Sequence, residues 1–373
     1  STFNSVSIGK GANSVAGNTV VGELALDAVT TASGLTALGY NALSSNTTGP
    51  KNVAIGNSAL SSITTGDAST AVGFEALKTT TASNNTAVGC NALRLSTTGG
   101  NNVAVGQNCM DANTTGSNNT AVGLNALGGN TTASNNTAVG RDALEANTIG
   151  GLNVAVGHNA LTANTTASEN TSVGVESLEA NTTGQQNCAF GFRTLEDNNA
   201  DHNTALGHEA LKENTTGTEN TAVGANALDS NTTTSNSTAV GYDALQANTA
   251  HGSTAVGHAS LRSNTTGAGN NAFGKNALYT NTTGQYNIAI GYDALQQNNA
   301  SQNVAVGHDA LKLNTTGDYQ TGVGYNALAA NTTGSSNVEV GGLSLLDNVT
   351  GNSNVAIGVQ ALQDNLADSN TAV

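Results

Sequence analysis

DANTTGSNNTAVGLNAL, residues 111–127, returns with small changes through almost the whole chain, and its reading decides the fold. Counting from the glycine of TAVG, the pattern recurs at Gly39, Gly56, Gly73, Gly89, Gly106, Gly123 and Gly140 and continues to Gly358, in steps of 17 or 16 residues. Two earlier glycines, Gly9 and Gly22, stand 13 apart. This divides the sequence into shorter N-terminal coils over 1–38 and a continuous array over 39–373, about 22 units with no linker between domains.

The bulk numbers alone would mislead. A chain of 373 residues usually forms two or three globular domains, but here 9% of residues are charged, 3% are aromatic, one is proline and 45 are glycine. Such a composition points to disorder until the periodicity is seen, and periodicity at this length marks a stacked repeat architecture. The net charge of −15 disfavours nucleic acid and anionic membranes as partners. No run of 18 apolar residues is present, and the opening STFNSVSIGK has no signal-peptide core. Cys90, Cys109 and Cys188 occupy different places in their repeats, so they read as single substitutions and not as a disulfide or metal framework.

Within one unit, the residues three and one before the glycine are β-branched or apolar, as at Thr120 and Val122 or Val154 and Val156. That alternation predicts a short strand. Alanine stands between them in nearly every unit, as at Ala121, Ala138 and Ala155. A solvent face would vary more, so this alanine row is expected to pack against something, and the thin core suggests neighbouring chains. Four residues after the glycine comes leucine, at Leu127, Leu144, Leu161 and Leu178, which reads as an interior ladder. Strand-like units of this period predict an all-β, parallel β-solenoid, one coil per unit. At about 4.8 Å per coil the array would run on the order of 100 Å.

The asparagine of NTT persists through sixteen successive units from Asn113 to Asn365. It includes Asn113, Asn130, Asn147, Asn164, Asn181, Asn198, Asn214 and Asn231, and it survives where the glycosylation triplet is broken, as at Asn147 (NTI) and Asn198 (NNA). The two threonines are less regular, which argues against an uninterrupted ice-binding grid on the Thr-Thr corners and leaves that reading as the alternative. The preferred expectation is an inward asparagine ladder bonded from coil to coil. Units of 16 residues lose their residue between this asparagine and the next strand, as within 195–207 and 295–307, which marks a surface turn.

No catalytic, metal or cofactor site emerges. His158, His208, His258 and His308 follow the glycine at intervals of 50 residues, three coils or roughly 14 Å apart, too far to share a metal ion. The carboxylates of Asp142, Glu176, Glu209, Asp243, Asp293 and Asp309 share the second place after the glycine, where short polar groups suit a turn. A hydrolase using paired carboxylates ranks third, since nothing pairs them with a nucleophile. The place directly after the glycine varies most and carries Tyr40, Phe74, Phe192, Tyr242, Tyr292 and Tyr325, a candidate contact edge for a receptor.

NSVSIGKGANSVAGNTVVG, residues 4–22, resembles the head repeat of the YadA-like trimeric autotransporter adhesins, and the NNTAVG and GLNVAVG units are similar to repeats of bacterial surface adhesins and phage tail fibres. The resemblance implies a left-handed β-roll, a side-by-side homotrimer, and a structural or adhesive role on a cell surface or virion, with a host glycan or protein as receptor. The NTTG corner lengthens each unit beyond the repeat of that family. The chain stops in mid-strand at residues 371–373, as a segment of a longer fibre would.

Overall fold

The computed structural model describes residues 2–3 and 6–373. The chain is all-β, a β-solenoid of about 21 turns with repeats of about 17 residues. It forms two compact units, Ser1–Asn187 and Cys188–Val373.

In the first unit β1 (Thr2–Phe3) pairs antiparallel with β2 (Val6–Gly9), and β2 pairs antiparallel with β3 (Thr19–Val21). Val6–Gly9 therefore does not stack as a parallel coil, which accounts for one turn fewer than the glycine count suggests. From β3 onward each three-residue strand lies parallel to its neighbours in exact repeat register, for example Thr120↔Thr137, Ala121↔Ala138 and Val122↔Val139. In the second unit the strands from Cys188–Phe190 to Thr371–Ala372 stack in the same way, with Thr204↔Thr221 and Ala205↔Ala222 as one rung.

The facing of the strand overturns one expectation. Alanine, read as a face packed between chains, points into the coil: Ala121, Ala138 and Ala155 are fully buried. The flanking β-branched residues point outward, with Val122 and Val139 each 37% exposed. The reason is space. Interior room is largely taken by the buried leucines and alanines of the turns, such as Leu127 and Ala126, so a methyl is the usual side chain at the inward strand position.

After the strand, Gly123 adopts φ 139°, and a Cβ there would collide with the carbonyl of Gly140 in the next coil. The chain then turns through Asn125 (φ 55°) and Leu127 (φ 54°), both left-handed. For leucine that backbone is unfavourable by roughly 1 kcal/mol or more. Burial of the whole side chain offsets it, at about 1.5 to 3 kcal/mol. Backbone bonds tie these turns to both neighbours: Asn125 N–H donates to Gln107 O at 3.1 Å and Leu127 N–H to Ala143 O at 2.9 Å. No helix among the described residues is long and apolar enough to cross a membrane.

Candidate functional site

Two groups of side chains stand out in each coil, an inward polar spine and an outward edge. The spine begins at the NTT corner. Asn130 is fully buried, and its Nδ2 donates to Asn113 Oδ1 at 2.8 Å and to the Ala133 carbonyl of its own turn at 3.1 Å. Asn147 donates to Asn130 at 3.2 Å, Asn164 to Asn147 at 2.8 Å and Asn181 to Asn164 at 3.4 Å. In the second unit Asn214 donates to Asn198 at 2.7 Å and Asn231 to Asn214 at 2.9 Å. The shortened corner keeps the same arrangement, since Asn198 Nδ2 reaches Ala200 O at 2.8 Å across one residue fewer.

A second asparagine row, not singled out from the sequence, lies just before each strand. Asn119, Asn136, Asn153 and Asn170 are buried. The backbone N–H of Asn136 donates to Asn119 Oδ1 at 2.9 Å, and that of Asn153 to Asn136 Oδ1 at 2.9 Å. Meanwhile Asn136 Nδ2 donates to Gly150 O of the next coil at 3.0 Å. The signal was present, because asparagine opens NTAVG and NVAVG in most units.

The corner threonines divide their roles. Thr131 donates its hydroxyl and its N–H to Thr148 O, both at 3.1 Å, while Thr132 is exposed. The first hydroxyl is likewise engaged with the next coil at Thr114, Thr148, Thr165 and Thr215. Leu127, Leu144, Leu161 and Leu178 are all fully buried. Cys109 replaces the alanine beside this row, and burial pushes its thiol up to about 12. All three cysteines are free.

Among the described residues, one carboxyl occupies an inward strand position. Glu339 takes the place of the inward strand alanine, is fully buried and accepts from Ser344 Oγ at 2.6 Å. Burial pushes it up to about 8. The carboxylates two places after the glycine instead sit at left-handed turns, and three of them accept from the coil before: Asn125 donates to Asp142, Asn226 to Asp243 and Asn276 to Asp293, each at 3.0 Å.

The edge directly after the glycine faces solvent. Tyr40 and Phe74 of the first unit are each 49% exposed. In the second unit the aromatic residues meet the histidines. Phe192 stacks on His208 with centroids 5.3 Å apart, Tyr242 on His258 at 5.3 Å and Tyr292 on His308 at 4.9 Å, and Tyr325 follows at 5.7 Å. His208, His258 and His308, three of the four histidines too far apart to share a metal, are therefore rungs of mixed aromatic stacks. Cations join them, with Lys275 Nζ lying 5.6 Å from the Tyr292 centroid and Arg193 5.9 Å from that of Phe192. No family model and no curated protein matches the chain.

Proposed function

We propose that the chain is a non-enzymatic structural segment of an adhesive fibre, from a bacterial surface or a phage tail, that displays its outward edge for attachment to a host glycan or protein. The observation that carries this reading is the contrast within each coil. Inward positions are filled by repeated, mutually bonded Asn, Leu and Ala, whereas the exposed edge carries Tyr, Phe, His, Lys and Arg in changing order. A scaffold that holds one line of varied side chains at fixed spacing suits recognition of an extended surface.

In this reading the coils wind left-handed and three copies associate side by side, outside the cell or on a virion. Association is supported by the outward strand face and no longer by the alanine row. From Thr36 to Ile357 no outward strand position is charged, although the chain carries a net charge of −15. Large apolar groups stand on that face, including Leu206 at 49%, Ile290 at 43% and Phe273 at 41% exposed. Light-scattering mass tests this directly: three chain masses are expected, and a stable monomer at micromolar concentration contradicts it.

The same face favours a second reading, an ice-binding solenoid. Its in-register Thr and Val rows form an uncharged grid, whereas the Thr-Thr corners spend one hydroxyl on the next coil. Thermal hysteresis by a monomeric chain would favour ice binding, since a face covered by other copies cannot meet ice.

A further inference from the structure

Along the outward edge of the second unit the order His, X, Tyr occurs twice, fifty residues apart: His208, Ala225, Tyr242 and then His258, Lys275, Tyr292. In the later triplet the chain supplies its own guest, because the Lys275 ammonium lies over the Tyr292 ring at 5.6 Å. That distance is within the range of a cation–π contact. In the earlier triplet the middle residue is alanine, too short to cover either ring.

Each of those rings has its far face taken. His208 stacks on Phe192 and Tyr242 on His258. Two coil spacings, about 10 Å, separate His208 from Tyr242, so one group fits between their near faces above the Ala225 methyl.

The charges nearby differ between the triplets in a complementary way. The side chains one, two and five places after the glycine line a common groove, as in the hollow of about 240 Å³ formed by Asp243, His258, Arg262, Asn276 and Tyr279. Five places after the glycine, the Lys275 coil has Tyr279, whose hydroxyl accepts from Arg262 at 2.8 Å. The Ala225 coil has Asp229 instead.

The neighbouring carboxylates have cations: Lys212 lies 3.7 Å from Glu209, and Arg262 lies 3.3 Å from Asp243. Asp229 forms no ion pair among the described residues, and its Oδ1 is buried without a hydrogen-bond partner. Burial, reinforced by the nearby Glu213 carboxylate and opposed in part by Lys212 of the coil before, pushes it up to about 6. The Lys275 coil thus carries a cation and no carboxylate at these places, whereas the Ala225 coil carries a carboxylate and no cation of its own, the nearest being Lys212 of the coil before, which is engaged with Glu209.

We propose that the Ala225 rung binds an organic cation, a guanidinium or alkylammonium group, between the ring faces of His208 and Tyr242 and beside Asp229. The site stands on the edge geometry and is independent of the fibre reading. Recognition combines two ring faces with one carboxylate, so a neutral group of the same shape is rejected.

The test is an NMR titration of the intact chain with N-acetyl-arginine methylamide, followed at the His208 and Tyr242 rings, with the citrulline analogue as neutral control. Saturable ring shifts with the arginine probe and none with citrulline are expected. Ala225→Lys copies the Lys275 rung, so it should keep the melting temperature and weaken binding at least about tenfold, and Asp229→Asn should weaken it several-fold. A lack of saturable shifts, equal binding of citrulline, or undiminished binding by Ala225→Lys would overturn the site. An arginine-containing hexapeptide that binds tighter than the single residue assigns the cation to a partner polypeptide, and equal affinity assigns it to a free small molecule.

Discussion

Asn130 and Leu124 belong to the same coil and obey different rules. Asn130 is buried and touches an identical residue in the coils on either side, and its row changes little from unit to unit. Leu124 is exposed, and its row changes from Gln107 below to Arg141 above. The difference teaches that fidelity of the repeat follows the number of coil-to-coil bonds a position makes. An inward carboxamide needs its counterparts to satisfy it, because an unpartnered buried polar group costs about 1 to 3 kcal/mol. An edge residue needs only a path to solvent. The second unit uses that freedom to alternate aromatic rings with histidine, while the first places Tyr40 and Phe74 two coils apart.

The comparison breaks most visibly if the inward row is cut. Replacing Asn130, Asn147 and Asn164 together with alanine should remove at least about 3 kcal/mol from the first unit. Replacing Leu124, Arg141 and His158 in the same coils should change stability by no more than about 0.5 kcal/mol per site. Urea unfolding of the two triple variants measures both. Equal losses would erase the distinction between spine and edge.

A smaller effect tests the strand facing. Ala138→Val should destabilise by about 1 to 3 kcal/mol, because the added methyls crowd the fully buried leucines and alanines around that inward site. On an outward face the same change would be neutral or favourable, since valine suits strands. Calorimetric melting separates the two.

Glu339 is an exception within the inward row and gives a pH dependence. Folded, it holds its proton up to about pH 8. Unfolded, it releases that proton above about pH 4.3. Between those values the unfolded state binds fewer protons, so stability falls as pH rises, by at most about 1.4 kcal/mol per pH unit. Glu339→Ala, which restores the usual residue, should remove this slope and stabilise the second unit at pH 8. An unchanged slope in that variant would place the proton elsewhere.

The smallest change is expected at the edge. Tyr292→Ala removes its stack on His308 and its contact with Lys275, worth about 0.5 to 1.5 kcal/mol for the aromatic pair, and leaves the fold intact. Chemical denaturation reads it, and a loss comparable to the asparagine triple would mean that the edge carries the fold.

Much of this was legible in the sequence. The strand, the leucine row, the NTT asparagine and the indel-tolerant turn all leave a mark on spacing or residue type. The facing of TAV was not legible, because alternation fixes two faces without saying which one meets the interior. Only the bulk of Leu127 and Ala126 decides it, and that needs the path of the turn. The left-handed backbone at Leu127 was hidden too, since burial overrides the usual preference for glycine there.

The pairing of His208 with Phe192 escaped for a simpler reason: the histidines suggest only their own spacing of three coils, whereas their partners lie one coil away. β2 carries the same VxIG pattern as a solenoid strand, but it runs the other way, and residue identity does not encode strand direction.

The central claim is that two buried, hydrogen-bonded asparagine rows hold the coils together. Hydrogen exchange of the asparagine side-chain carboxamides in the unmodified chain tests it most directly. Two populations are expected: a slow one from inward residues such as Asn130 and Asn136, surviving long after exposed carboxamides such as that of Asn135 have exchanged. A single fast population, with every asparagine carboxamide lost together, would contradict the account.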